Sequence, residues 1–418
     1  MAEAPRVSPA RIRSAHWQTA VTVLDKIWDG RQAADAALQA WFRDHRQMGG
    51  RDRANVTMLV YGVLRDAMRL RRIAGDAAPV ELLLVMHALL AGTLDLNALR
   101  ALAGPMADAA DAQLAAFDAS ALSDAEQHNV PAAIWTQWCA QYGAQASALA
   151  QALNREAPVD LRINLLKATR EQVQAALHEA GLASSPTALS PWGLRLPRRA
   201  ALQNTAAYRD GWLEPQDEGS QLLAQLVDAK PGERVADFCA GAGGKTLALG
   251  AAMSNQGELW ALDIAATRLS RIAARAQRAG LDIVQTRILP DPHWMASQAG
   301  RFDAVLVDAP CSATGTWRRN PELRLRVVDF NELARQQREI LAGAAQLVRP
   351  GGRLVYATCS LMAAENETVI TDFVAQNSRF NLQVPATVAN AAVDAPFLRL
   401  LPSRHGTDGF FAALLLRK

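Results

Sequence analysis

Apolar positions along the chain change period twice. Near the N-terminus Trp17, Val21, Leu24 and Trp28 recur at helical spacing and mark one face of a helix. A second helix runs through LQAWFRDH, and a third begins near Arg51 and carries Met58, Leu59, Tyr61, Val63 and Leu64. The apolar stretch VELLLVMHALLAG (80–92) predicts the central buried helix of this group. Ala-rich helices punctuated by Gly104-Pro105 follow, and Pro131, Trp135 and Trp138 fall on connecting helices over 129–153. The period then drops to two. VDLRINLL (159–166) and WGLRL (192–196) alternate as strands, with the helical pattern ATREQVQAALHEAGL between them, ending at Gly181. This is a small α+β unit.

From about residue 214 strands and helices alternate in the βαβ manner. RVADF, GELWALD, DIVQT, FDAVLVD and RLVYAT read as strands, and GFFAALLLRK closes the chain as a last one. The predicted fold class is α/β: a helical domain over 1–128, linker helices and the small α+β subdomain over 129–213, and a doubly wound sheet over 214–418.

Two cysteines stand at strand ends of that sheet. RLVYAT, set up by the turn Pro350-Gly351-Gly352, ends on Thr358-Cys359-Ser360. A helical pattern follows, with Glu365 and Glu367 in its first turn, where a helix favours acids. FDAVLVD runs into Asp308-Ala309-Pro310-Cys311-Ser312. The carboxyl edge of the strands is where open α/β sheets bind ligands. A free cysteine is often only a small core hydrophobe. Two at strand ends of one sheet, one beside a carboxylate, point instead to chemistry.

Composition narrows the setting. No apolar run reaches the ~18 residues of a membrane span, and VELLLVMHALLAG is broken by Glu81 and His87. MAEAPRVSPARIRSAHW lacks the apolar centre of a signal peptide, so a cytoplasmic protein is expected. The cysteines at 139, 239, 311 and 359 form no CxxC pair, which speaks against a metal site and a disulfide framework. The net charge of +3 does not by itself imply nucleic acid. Lysine occurs only at 26, 167, 230, 245 and 418, so almost all the basic residues are arginine, whose planar fork suits phosphates and bases. A GC-rich genome gives the same bias. Arg43, Arg46, Arg51, Arg53, Arg65, Arg69, Arg71 and Arg72 crowd the N-terminal helices, as a solvated face or as a surface for RNA.

The first strand of the large domain leads into Asp237-Phe238-Cys239-Ala240-Gly241-Ala242-Gly243-Gly244-Lys245-Thr246. A phosphate-binding P-loop needs glycine where Cys239 stands, and the dinucleotide fingerprint needs it where Thr246 stands. The remaining reading is the loop of class I adenosylmethionine-dependent methyltransferases, whose glycines admit the amino-acid part of a cofactor that lacks phosphate. Asp263, at the end of GELWALD, is placed to hold ribose hydroxyls.

DFCAGAGGKT, DAPCSATGTWRRNPE, YATCSLMAAENE and HGTDGFFAALLLRK resemble motifs of the bacterial ribosomal RNA cytosine-5 methyltransferases of the Sun/Nop2 (RsmB-like) class. LRINLLKATRE and PQDEGSQL are similar to that family's segments ahead of the catalytic domain, and RDRANVTMLVYGVLR resembles, more loosely, a NusB-like RNA-binding domain. The resemblance implies a class I, Rossmann-like methyltransferase domain using S-adenosyl-L-methionine. The cofactor would lie on Cys239, Ala240, Gly241, Ala242, Gly243, Gly244 and Lys245, with Asp263 and Asp308. Carbon 5 of cytosine is a poor nucleophile; a thiolate adding to carbon 6 makes an enamine that accepts a methyl group, and a base then removes the carbon-5 proton. Position alone leaves both cysteines open for either task. The resemblance gives attack to Cys359 and release to Cys311, with Asp308 on the cytosine edge and Lys245, Arg318 and Arg319 as RNA contacts. It implies ribosomal RNA as partner; with no membrane and no metal expected from the residues, the protein is expected to be a monomer. A tRNA cytosine-5 methyltransferase is the alternative of the same chemistry, and a non-catalytic RNA-binding assembly factor is the alternative of another class. The chain departs from the family pattern at Ala242, where proline is common, and at Arg287, where the third strand usually ends on an acid near the adenine; Asp291 is the nearest substitute.

Overall fold

The computed structural model describes residues 12–28, 32–386, 388 and 392–418. Residues 1–11, where the sequence lacks a signal-peptide centre, lie outside them. The chain forms two units: one of residues 1–155 and 317–327, the other of 156–316 and 328–418.

The first unit is helical. Its helices include Ser14–Trp28, Ala34–Asp44, Gly50–Arg65, Val80–Leu90, Ala132–Tyr142 and Gln145–Leu153. The apolar spacing of Ser14–Trp28 buries Trp17, Leu24 and Trp28, while Val21 is only partly covered. Val80–Leu90 buries Leu83, Leu84, Val85 and Met86, as its near-continuous apolar run requires. The helices over 132–153, which the sequence pattern groups with the small sheet, pack in this unit. So does a segment from far along the chain. Trp317 lies against Trp138 with ring centroids 5.4 Å apart. The buried Arg324 donates through Nη1 to the carbonyls of Arg65 (2.6 Å) and Asn129 (3.1 Å) and to Oδ1 of Asn154 (2.6 Å). Among the described residues no carboxylate is bonded to it, and burial, with the neighbouring charge of Arg65, pulls its pKa down to about 9.

The second unit contains both sheets. In the small one, β1 (Val159–Ile163), β2 (Ser185–Pro186), β3 (Gly193–Leu196) and β4 (Leu213–Pro215) are ordered β2-β3-β1-β4. Helix Arg170–Glu179 begins with a capping box, Thr169 accepting from Gln172 N–H and Gln172 from Thr169 N–H.

The large sheet holds β5 (Arg234–Asp237), β6 (Glu258–Asp263), β7 (Val284–Ile288), β8 (Phe302–Asp308), β9 (Val348–Thr358), β10 (Phe380–Gln383), β11 (Val393–Asp394), β12 (Phe397–Leu400) and β13 (Phe410–Arg417). Their order is β11-β12-β13-β9-β8-β5-β6-β7, with β10 also on β13. β5 to β9 are mutually parallel where they pair, and β13 runs antiparallel to β9. Strand order therefore reverses between β5 and β8: the chain steps outward through β6 and β7, then returns to β8 and β9. Such a switch point opens a crevice at the carboxyl ends of the two strands. The glycine loop leaves β5 there, and Asp308 and the Cys311 loop leave β8.

One expectation changes. The residues after Cys359 do not open a helix directly. A 3-10 turn, Ala363–Glu365, comes first, and the helix is Glu367–Gln376. Glu365 is therefore not a first-turn acid. It turns inward and is fully buried.

Candidate active site

The glycine loop is shaped by two left-handed glycines, Gly241 (φ 56°) and Gly243 (φ 84°). A side chain at Gly243 would also strike Ile272, at 2.9 Å from its Cβ. At Gly241 and Gly244 a Cβ would meet nothing nearer than 3.8 Å, so the backbone is open to a ligand on that side. Helix Gly244–Ala252 starts on the loop and brings amide N–H groups to its mouth. Asp263 bridges the loop to β6: Oδ2 accepts from Gly241 N–H and Oδ1 from Ala265 N–H, both at 2.8 Å. A carboxylate with two lone pairs on each oxygen can still receive hydroxyl donors. The next residue, Ile264, is 75% exposed and offers an apolar face beside the acid. Sequence reasoning missed it; its signal is a large aliphatic residue just past a strand end. The open glycine backbone, the carboxylate and this face fit an adenosine-bearing amino acid such as S-adenosylmethionine.

Other loop groups are set by burial. Burial pushes the Cys239 thiol well above its ordinary pKa, helped by the charges of Asp308, Asp237 and Asp263, so it stays neutral. Asp237, at the end of β5, is 1% exposed, and its Oδ1 has no hydrogen-bond partner. Burial raises its pKa to about 6 although Thr246 donates to Oδ2 at 2.7 Å. Arg287 is the last residue but one of β7, opposite Leu262 of β6, with Nη1 3.2 Å from Asp291 Oδ2. Asp291 also caps helix Pro292–Ser297 through Trp294 N–H.

Lys245 lies in the first turn of its helix and reaches across to β8, where Nζ meets Asp308 Oδ2 at 2.6 Å. Burial pulls its pKa down, but the charge and hydrogen bond of Asp308 outweigh it and leave the lysine above its ordinary value. The charge of Cys359 acts in the same direction. Lys245 is thus a buried cation of the crevice rather than a surface contact.

The two cysteine loops are bound to each other. Cys311 Sγ and Cys359 Sγ are 3.4 Å apart. Gly315 N–H donates to Cys359 O at 2.9 Å, and Leu361 N–H to Thr314 Oγ1 at 2.8 Å. Gly315 also packs backbone to backbone on Gly409, where a Cβ would lie 2.2 Å from Gly409 O. The pKa of Cys311 is held far above the ordinary thiol value, first by its hydrogen bond to Cys359, then by burial and by the charges of Cys359 and Glu365. Cys311 is therefore held as the neutral thiol.

The second unit thus brings together Cys359, Cys311, Asp308, Lys245, Asp263 and the loop from Cys239. Arg318 and Arg319 belong to the first unit; Arg318 is buried and Arg319 half-buried. Of the arginine-rich helices, Arg69 pairs with Asp66, and Arg72 with Glu126. Arg43, Arg46 and Arg53 line a cavity of about 470 Å³ with Gln39 and Phe42. Among the described residues no group of three or more His, Cys, Asp or Glu is arranged to hold a metal ion, and no helix is long and apolar enough to cross a membrane.

Comparison with known proteins points one way. The family model for 16S rRNA methyltransferase RsmB/F matches residues 224–416, and that for the RsmF/B-like ferredoxin-like domain matches 130–203. Ribosomal RNA small subunit methyltransferase B of Vibrio cholerae is 33% identical over 308 residues, 72% of this chain and 69% of that protein. The same-named protein of Pseudomonas syringae pv. tomato is 34% identical over 281 residues, 65% of this chain and 62% of that protein. The matches thus span roughly two thirds of these relatives. The crystal structure of PH0851 superposes with a TM-score of 0.82 at 26% identity, covering 97% of this chain and 99% of that one. NSun6 from Pyrococcus horikoshii with SFG has a TM-score of 0.62 at 20% identity over 69% of this chain and 98% of that one, a likeness of fold.

Proposed function

Because the chain belongs to the RsmB/F family of 16S rRNA methyltransferases, we propose that it methylates carbon 5 of a cytosine in small-subunit ribosomal RNA through a transient bond from Cys359 to carbon 6. The observation that carries the reading is the pair of sulfurs 3.4 Å apart at the strand ends, beside the Lys245–Asp308 pair. S-adenosylmethionine, when bound, supplies an electrophilic methyl group. Asp263 and the open backbone of Gly241 and Gly244 would hold it. Everything else falls to the chain's own side chains.

Lys245 holds Oδ2 of Asp308, so Oδ1 is left to accept the cytosine amino group and fix the base by its edge. Cys359 Sγ attacks carbon 6 as the thiolate, the reactive form of a cysteine. Electron density moves to carbon 5, which takes the methyl group. With Cys359 bonded to carbon 6, Cys311 gives its own proton to solvent; its thiolate then removes the carbon-5 proton, the carbon 6–sulfur bond breaks, and Cys359 leaves as thiolate.

The coupling of the thiols suits this order. The largest influence keeping Cys311 protonated is its hydrogen bond to Cys359. Once Cys359 is bonded to carbon 6, that hydrogen bond and the Cys359 charge are gone. The pKa of Cys311 falls at the stage when a base is needed, towards the range where proton transfer is efficient.

Bisulfite sequencing of 16S rRNA and tRNA from a deletion strain tests the assignment. One 16S cytosine should lose its protection and regain it with the wild-type gene but not with Cys359→Ala. Loss at a tRNA position instead would move the substrate to tRNA, and no change at any cytosine would remove the activity.

A further inference from the structure

Glu365 is a buried carboxylate, and among the described residues its hydrogen-bond donors are all neutral. Oε1 accepts from Ser312 N–H at 2.8 Å and from the Gln337 amide at 3.0 Å. Oε2 accepts from Ser312 Oγ–H at 2.5 Å and from Ser360 Oγ–H. Its backbone carbonyl accepts from Tyr356 O–H at 2.6 Å. The Gln337 amide also donates to Pro310 O at 3.0 Å.

These partners are not scattered. Ser312 follows Cys311, Ser360 follows Cys359, and Pro310 precedes Cys311. One carboxylate therefore grips both cysteine loops through Ser312 and Ser360, and the Gln337 amide it holds reaches the other side of Cys311 at Pro310. Burying a charge without a counter-ion is expensive unless donors surround it, and here four do. A scaffold that only needed these loops packed would be served as well by an apolar residue. Two accepting oxygens are needed for the geometry seen: donors point at both Oε1 and Oε2, and glutamine would put an NH₂ donor in place of one of them.

We propose that Glu365 is a positioning residue of the reaction: by tying Ser312 to Ser360 it keeps the sulfurs of Cys311 and Cys359 in contact, so that attack and release act on the same cytosine. This rests on the covalent reading above, and its test has one arm that does not.

That arm is thiol cross-linking of the full-length protein without RNA, using diamide as oxidant. One thiolate adds to the diazene, the second displaces it, and a Cys311–Cys359 disulfide and the hydrazine result. Wild type should cross-link readily. Glu365→Gln should do so about tenfold more slowly, with unchanged affinity for S-adenosylmethionine by calorimetry. In the RNA arm the same variant should form the Cys359–RNA adduct at a rate close to wild type. Its turnover should fall about 100-fold, the cost of a reacting group displaced by roughly 1 Å. Ser360→Ala, which removes one tether, should move both readouts in the same direction by a smaller factor. Unchanged cross-linking in both variants would overturn the proposal. So would adduct formation, turnover and cofactor affinity falling in step, since that is the mark of a damaged scaffold. If wild type cross-links but no variant ever yields an RNA adduct, the covalent reading fails, and the positioning role of Glu365 fails with it, while the cross-linking rates still report the thiol spacing.

Discussion

Replacing Cys311 by alanine separates the two halves of the reaction. The substitution removes one sulfur from a half-buried site and should cost stability on the order of 1 kcal/mol, well within what a domain tolerates. It leaves Cys359, Lys245, Asp308 and the Glu365 tether in place, so attack on carbon 6 and methyl transfer should continue. What goes is the sulfur 3.4 Å from Cys359 Sγ that, on the proposed route, takes the carbon-5 proton. Loss of a positioned base slows a proton transfer by about 10²–10⁴-fold. If attack and release are about equally fast in wild type, about half the enzyme carries RNA at steady state. Slowing release a hundredfold raises that share to about 99%. The assay is a denaturing gel of enzyme mixed with 16S rRNA fragments and cofactor. Cys311→Ala should give a slow, nuclease-sensitive band holding nearly all of the enzyme, and Cys359→Ala should give none. A band with Cys359→Ala and none with Cys311→Ala would exchange the two roles. Full turnover by both variants would refute the covalent route.

Three further outcomes follow from the geometry. Asp263→Ala loses an acceptor for two backbone amides and for the cofactor, so affinity for S-adenosylmethionine should drop by ~1–3 kcal/mol in calorimetry; an unchanged affinity would take Asp263 out of the site. Asp237 has its pKa raised from 3.8 to about 6 in the folded state, so the fold binds this proton more tightly than the unfolded chain does. Stability from this group is therefore full below about pH 4 and is lost as pH rises to 6, by about 3 kcal/mol. Asp237→Asn should lack that loss and gain on wild type across this window in denaturant titrations, whereas a pH-independent difference would contradict the burial argument. Arg43→Gln with Arg46→Gln removes two exposed cations from the 470 Å³ cavity. If they meet phosphates, the slope of log affinity for ribosomal RNA against log salt should flatten by roughly 1.4–1.8, and an unaltered slope would mark them as a solvated face.

Much of the site is legible in the sequence because it is local. DFCAGAGGKT marks the turn between β5 and its helix, and the strands before Cys311 and Cys359 are short apolar runs with clear ends. Asp263 is found by its distance from the loop. What the sequence conceals depends on tertiary pairing. Glu365 carries the same local signal as an ordinary first-turn acid. Only the 3-10 turn Ala363–Glu365, which delays the helix to Glu367, swings it into the core. β2, β4, β11 and β12 have two to four residues each, too few to show a period, and exist because a neighbour offers them an edge. Lys245 reads as a basic residue ready for phosphate. Its partner Asp308 lies far along the chain, and only the sheet order brings β5 beside β8.

The residues 317–327 bear on how the protein is made. A ribosome delivers a chain from its N-terminus, and domains tend to fold as they emerge. The N-terminal helices are complete by residue 155, but the Trp317 ring that lies against Trp138 arrives far later. So does Arg324, which meets the carbonyls of Arg65 and Asn129. Until then the helical unit waits with a gap in its interior and acceptors unmet. It closes only after the glycine loop, β8 and Cys311 have been synthesised, and before β9 and Cys359 exist. The first unit is thus finished from inside the sequence of the second, and no single cut in the gene yields both as whole domains.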